Sequence, residues 1–150
     1  MAQDADSNAP FWQAEAGARL GNVPHAVAVG MELVASGDGE GLMKVAWRED
    51  LVGDPETGVI AGGVVTSLLD HVCGLAVHIA GQAPTPIATL DLRIDYMRPA
   101  KPRHDVFARA HCYKRTRSIA FLRAVAYDDD PEDPIATAQA AFAVTRSPTP

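Results

Sequence analysis

The chain has 150 residues, of which 47% are hydrophobic and 21% charged, with a net charge of −6. That size fits one domain able to bury about 70% of the surface its unfolded form exposes, and the composition excludes a disordered chain. The acidic balance argues against nucleic acid as a partner, and no apolar run approaches the roughly 20 residues that span a bilayer.

Residues 1–10 are mostly small and polar and are expected to fray; the acidic start lacks the basic and apolar regions of a secretory signal. A cytoplasmic location with no membrane partner follows as the expectation. Phe11, Ala14 and Ala18 share one side of a predicted helix over residues 11–20, which Gly21 ends. Residues 27–35 and 42–47 read as two strands around the glycine-rich turn 37–41. Residues 50–58 read as a loop.

The segment 64–80 decides the architecture. Val65, Leu68, Leu69, Val72, Ala76 and Ile79 follow helical spacing and make one wide apolar stripe, closed by Gly81 and barred from continuing by Pro84 and Pro86. Strands follow at 87–96, 105–113, 118–127 and 135–145. In the first of these, Thr89, Asp91, Arg93 and Asp95 alternate with Leu90, Leu92, Ile94 and Tyr96. The middle pair forms a hairpin across residues 114–117, and an acidic turn, 128–134, precedes the last. With no repeat and no linker, residues 1–150 read as a single α+β domain in which one antiparallel sheet curls around one long helix.

Cys73 and Cys112 show neither a disulfide framework nor a metal pattern and read as buried thiols. The five histidines lack zinc spacing, so no metal is expected. No glycine-rich nucleotide motif is present, and no bound cofactor is expected. Between Arg93 and Arg123, nine basic residues face only two acids. Such a segment suits a phosphorylated small molecule, or consists of the solvent-facing positions of amphipathic strands.

Asp70 interrupts the apolar helix. At about 100° per residue, Gly63, Thr66, Ser67, Asp70 and Gly74 fall on one narrow, small and polar side. The helix start at Ala61-Gly62-Gly63 presents free N–H groups suited to a developing oxyanion. On these residues alone, Asp70 is either an exposed helix aspartate or a carboxylate with room for a ligand beside it.

Residues 58–77, GVIAGGVVTSLLDHVCGLAV, resemble the helix motif of the hotdog-fold thioesterases of the PaaI-like group. There a His-Gly-Gly turn opens the central helix and an acidic residue follows seven positions after the second glycine, the spacing of Gly63 and Asp70. Residues 89–100, ending Tyr96-Met97-Arg98-Pro99-Ala100, are similar to the strand that follows in that family. The resemblance covers about residues 27–145. It implies a hotdog fold, hydrolysis of an acyl-CoA thioester, and a homodimer or homotetramer with sites at subunit interfaces. By position, Asp70 would act as general base or nucleophile. The Gly62 and Gly63 N–H groups would hold the thioester oxygen, and Thr89 would help orient water.

Two positions depart from the family. Ala61 stands where histidine is usual, and Pro55 falls in the loop where many relatives carry an asparagine, leaving Glu56 as the neighbour able to substitute. Ala61, Glu56, Arg115 and Arg117 are the expected substrate-binding positions, the two arginines for the phosphates of CoA, which is here part of the substrate. The departures favour a second reading, a non-catalytic acyl-CoA sensor or carrier. A dehydratase would need His71 to work with Asp70, yet adjacent helix residues point about 100° apart.

Overall fold

The structure, a computed structural model, describes residues 20–83 and 85–145. The helix expected over 11–20 and the frayed residues 1–10 lie outside the described residues, Leu20 excepted. The first described helix, α1, is Pro24–Val29. It replaces the start of the strand expected from residue 27. Pro24 opens it at a position where no N–H is needed, and Gly30 closes it at φ +81°, donating its N–H to the Ala26 and Val27 carbonyls.

Strands β1 (Met31–Gly37) and β2 (Glu40–Val45) form a hairpin whose two turn residues, Asp38 and Gly39, both have positive φ, 53° and 76°. That conformation matches the twist of the flanking strands. The expected loop 50–58 is more ordered than its composition indicated. It contains a 3-10 turn, Glu49–Leu51, and a small hairpin of β3 (Val52–Asp54) and β4 (Val59–Ile60). Asp54 builds the connection by accepting from the Glu56 N–H, at 3.1 Å, and the Thr57 hydroxyl, at 2.9 Å.

Helix α2, Gly62–Gly81, follows as expected but is longer at both ends. Its 20 residues make it long and apolar enough, by length and composition, to cross a membrane, contrary to the expectation from the sequence; 56% of its most apolar stretch is buried inside the fold. Then come β5 (Ile87–Tyr96), β6 (Val106–Arg115), β7 (Ile119–Tyr127) and β8 (Ala136–Val144). The six long strands form one antiparallel sheet in the order β1-β2-β6-β7-β8-β5, leaving β1 and β5 as edges.

The middle of the sheet's inner face is built mainly from alanine and glycine. Pairing places Met43, Ala108, Ala126, Ala136 and Tyr96 in one row, and Gly41, Ala110, Ala124, Ala138 and Ile94 in the next. Into this trough helix α2 presses Leu68, Leu69, Val72 and Leu75, all essentially fully buried. A Cβ on Gly41 would lie 2.8 Å from Leu75 Cδ2, so the close approach requires that glycine. Large helix side chains thus meet small sheet side chains, the complementarity that close packing of a core requires.

Arg98, just after β5, pairs bidentately with Asp128 after β7, at 2.7 and 2.9 Å. The Asp128 side chain is wholly buried and also accepts the Lys101 and Asp129 N–H groups, each at 2.9 Å. The Arg98 guanidinium, through its hydrogen bonds and its charge, and these N–H donors hold the Asp128 carboxyl well below the usual carboxylate range. Stability from this pair is therefore complete above the unfolded carboxyl pKa of about 4 and is lost as pH falls below it. Asp128→Ala should cost about 3 kcal/mol in urea unfolding at pH 7, with the deficit against the parent chain shrinking between pH 4 and pH 2. A deficit independent of pH would contradict this account.

Candidate active site

Asp70 lies in the third turn of helix α2, on the side facing β5. Its Oδ1 accepts a hydrogen bond from Thr89 Oγ1 at 2.9 Å. The alternation expected of β5 grouped Thr89 with Asp91, Arg93 and Asp95 and apart from Leu92, Ile94 and Tyr96. Instead, a register shift between Thr89 and Asp91 inserts one extra residue. Thr89 therefore pairs with buried Phe142 and points inward, while Leu90 is left 58% exposed. A bulge on an edge strand re-aims a side chain in this way, and here it delivers the hydroxyl to the carboxylate.

Two turns earlier, Ala61 is the N-cap of α2 and supplies no side-chain cap. Its own N–H donates to the Leu51 carbonyl at 2.9 Å, and a Cβ on Gly53 would fall 2.8 Å from Ala61 Cα. The β3–β4 hairpin thus packs directly against the helix start and fixes where it begins. Gly62 and Gly63 occupy the first two helical positions, whose N–H groups have no acceptor within the helix. A Cβ on Gly63 would meet nothing within 4 Å. The fold of the chain does not itself demand glycine there, and the space a side chain would take is open.

Tyr96 and Thr66 add contacts that the sequence did not single out as functional. Tyr96 Oη lies 2.8 Å from the Gly62 carbonyl oxygen and 2.6 Å from Thr66 Oγ1, which is itself 3.1 Å from that oxygen. The available signals were Thr66 on the small polar side of the helix and a polar-tipped tyrosine in the apolar series of β5. Ser67 Oγ lies 3.2 Å from His25 Nε2 on α1, and His71 Nε2 lies 2.9 Å from the Leu20 carbonyl oxygen. His71 is thus engaged away from Asp70.

The structure does not gather the remaining expected residues at Asp70. Glu56 sits exposed at the tip of the β3–β4 hairpin. A cavity of about 300 Å³ beside that hairpin is lined by Trp47, Glu49, Val52, Pro55, Gly58 and Arg103, so Pro55 rather than Glu56 borders it. Arg115 lies against the far end of α2, where a Cβ on Gly81 would fall 2.8 Å from its Nη2. Gly81 is eleven residues from Asp70, about 16 Å along the axis. Arg117 is exposed in the β6–β7 turn. Part of the basic segment is neutralised locally: Arg98 pairs with Asp128, Lys101 with Asp129, and Arg93 with Asp95.

The Cys73 thiol is pushed up to about 12, chiefly by burial, with the negative charge of Asp70 adding to the effect. Burial also raises that of Cys112. Neither supplies a thiolate nucleophile at neutral pH. Both cysteines should resist iodoacetamide in the native protein at pH 8 and label fully in urea, as read by mass spectrometry; rapid native labelling of Cys73 would contradict its burial.

A sheet of six strands wrapped around one long helix defines a hotdog-type fold, with a carboxylate and a glycine turn on that helix as its candidate site. The family model of the thioesterase superfamily matches residues 57–135, and the chain belongs to that superfamily. A solved Pseudomonas aeruginosa protein superposes with a TM-score of 0.82 at 35% identity, covering 89% of this chain and 99% of that one. A mutant of the phenylacetic acid degradation protein PaaI from Thermus thermophilus superposes with a TM-score of 0.70 at 25% identity, over 82% of this chain and all of that one. Human acyl-coenzyme A thioesterase 13 is 31% identical over 64 residues, 43% of this chain and 45% of that protein. The chain spans about half the length of the curated relatives it matches.

Proposed function

We propose that this protein hydrolyses an acyl-CoA thioester to the free acid and CoA. The observation that carries the reading is Asp70, oriented by Thr89 at 2.9 Å, together with Gly62 and Gly63 N–H groups that have no acceptor within their helix. The glycine N–H groups would bind the thioester oxygen as it gains charge, and Asp70 would activate water or attack the carbonyl carbon. Thr89 holds one carboxylate oxygen and leaves the other for the reaction. The superfamily match and the likeness to acyl-coenzyme A thioesterase 13 support the thioester as substrate.

Gly63 and Asp70 are seven residues apart, about 10 Å along the axis, whereas reacting atoms must approach to roughly 3 Å. Direct attack by Asp70 on a carbonyl held at Gly63 of the same chain is therefore out of reach. We infer that a second copy completes the site, each site taking the glycine turn from one chain and Asp70 from the other. Edge strand β5 supports this assembly: Leu90 within it and Met97 just beyond it are each more than half exposed, an apolar surface suited to burial against another chain. Arg115 and Arg117, remote from Asp70, would meet the phosphates at the other end of an extended CoA. We place this reaction in the cytoplasm, where acyl-CoA is available.

Hydrolysis of aryl, short, medium and long acyl-CoAs, followed by thiol release, tests the reading; tight binding of all with turnover of none would favour the sensor. Asp70→Asn should lower kcat by about a hundredfold or more while leaving the fold intact. Unchanged kcat would remove Asp70 from the chemistry. Asp70→Asn and Gly63→Val chains, each inactive alone, should regain about a quarter of parental turnover when unfolded and refolded together, because half the dimers would hold one intact site. A mixture that stays inactive would place both groups in one chain.

A further inference from the structure

We propose that Tyr96, with Thr66, is a positioning residue that strengthens and aims the Gly63 N–H through the Gly62 carbonyl. This rests on the reading of the glycine N–H groups as the oxyanion site. The Gly62 oxygen and the Gly63 N–H belong to one peptide unit, planar and conjugated, so a hydrogen bond donated to that oxygen draws charge from the nitrogen side and makes its N–H a better donor. Two hydroxyls converge on that oxygen, Tyr96 Oη at 2.8 Å and Thr66 Oγ1 at 3.1 Å, and lie 2.6 Å from each other.

Three close contacts are shared by two hydroxyl hydrogens. Either Thr66 donates to Tyr96 and Tyr96 to the carbonyl, or Tyr96 donates to Thr66 and Thr66 to the carbonyl. In both arrangements the carbonyl receives a hydroxyl hydrogen from a group that is itself accepting one, the cooperative order. The helix's own pattern assigns the Thr66 N–H to the same oxygen, so this carbonyl collects more donors than helical pairing requires.

Burial does not explain the arrangement. Tyr96 is 51% exposed, so its hydroxyl could be hydrated at no cost, yet it is turned onto the backbone of the helix start. A Cβ on Gly62 would lie 3.9 Å from Tyr96 Cε1 and Oη, whereas one on Gly63 would meet nothing. The ring thus packs beside Gly62, and the space a Gly63 side chain would take is open. Tyr96 also fixes the plane of that peptide, because β5 is held at its exit by backbone bonds from the Met97 and Arg98 N–H groups to the Ile135 carbonyl.

The test uses Tyr96→Phe and Thr66→Val in the full chain, with Thr66→Ser as the conservative control that keeps the hydroxyl. In the unliganded protein, the Gly63 amide proton should move upfield in Tyr96→Phe and Thr66→Val, more than that of Gly62, and stay in place in Thr66→Ser. Tyr96→Phe should lower kcat about tenfold with KM within twofold, since a donor is weakened rather than removed. A ketone analogue that forms a tetrahedral anion should lose affinity by a similar factor, and a CoA thioether should not. Failure of the parent chain to hydrolyse any thioester would overturn the proposed function, while the amide resonances would still decide the role of Tyr96. An unmoved Gly63 resonance, or a loss seen in KM rather than kcat, would show Tyr96 to be a tether only and overturn the inference.

Discussion

Everything at the site depends on how closely helix α2 can approach the sheet. An inner face of large aliphatic residues would hold the helix away and leave its termini unsupported. Here the rows through Ala108, Ala126 and Ala136 and through Gly41, Ala110 and Ala124 lower the floor, and Leu68, Leu69, Val72 and Leu75 descend into it. The axial position of the helix is then set at both ends. Gly53 abuts Ala61 at the start, and Arg115 abuts Gly81 at the finish. A cation beside the last turn also suits the negative end of the helix dipole.

With the helix fixed, β5 acts as a gauge laid along it. It touches α2 through Thr89 at Asp70 and through Tyr96 at Gly62, so one strand positions both chemical groups. The bulge after Thr89 makes these two contacts compatible. Strict alternation would put residues 89 and 96 on opposite faces, since seven positions is an odd interval, and the extra residue restores them to one face. The bidentate Arg98–Asp128 pair anchors the chain just beyond this strand.

The helix and the late strands were legible because their periodicities are strong and long. The helix motif also carried the family and pointed to Asp70, Gly62 and Gly63 as the candidate site. What was not legible shows where pattern reading gives out. Residues 27–29 have the composition of a strand, but Pro24 and Gly30, which bracket a six-residue helix, outweigh it. The β3–β4 hairpin is too short to show alternation and is held by Asp54 side-chain bonds. The bulge at Leu90 has no glycine to announce it. The acidic turn and the basic segment were read separately, and only the fold brings Asp128 to Arg98 and Asp129 to Lys101.

The alanine floor has a consequence for how such a protein can diversify. Growth of any of those inner residues by even two carbons would lift the helix and disturb both of its ends together, so that surface is closed to gradual change. Variation that leaves the scaffold intact is confined to positions the helix does not rest on: the exposed residues of β5, the tip of the β3–β4 hairpin and the outer side chains of α1. A lineage built on this core would change by editing the perimeter, while the centre stays nearly fixed in volume.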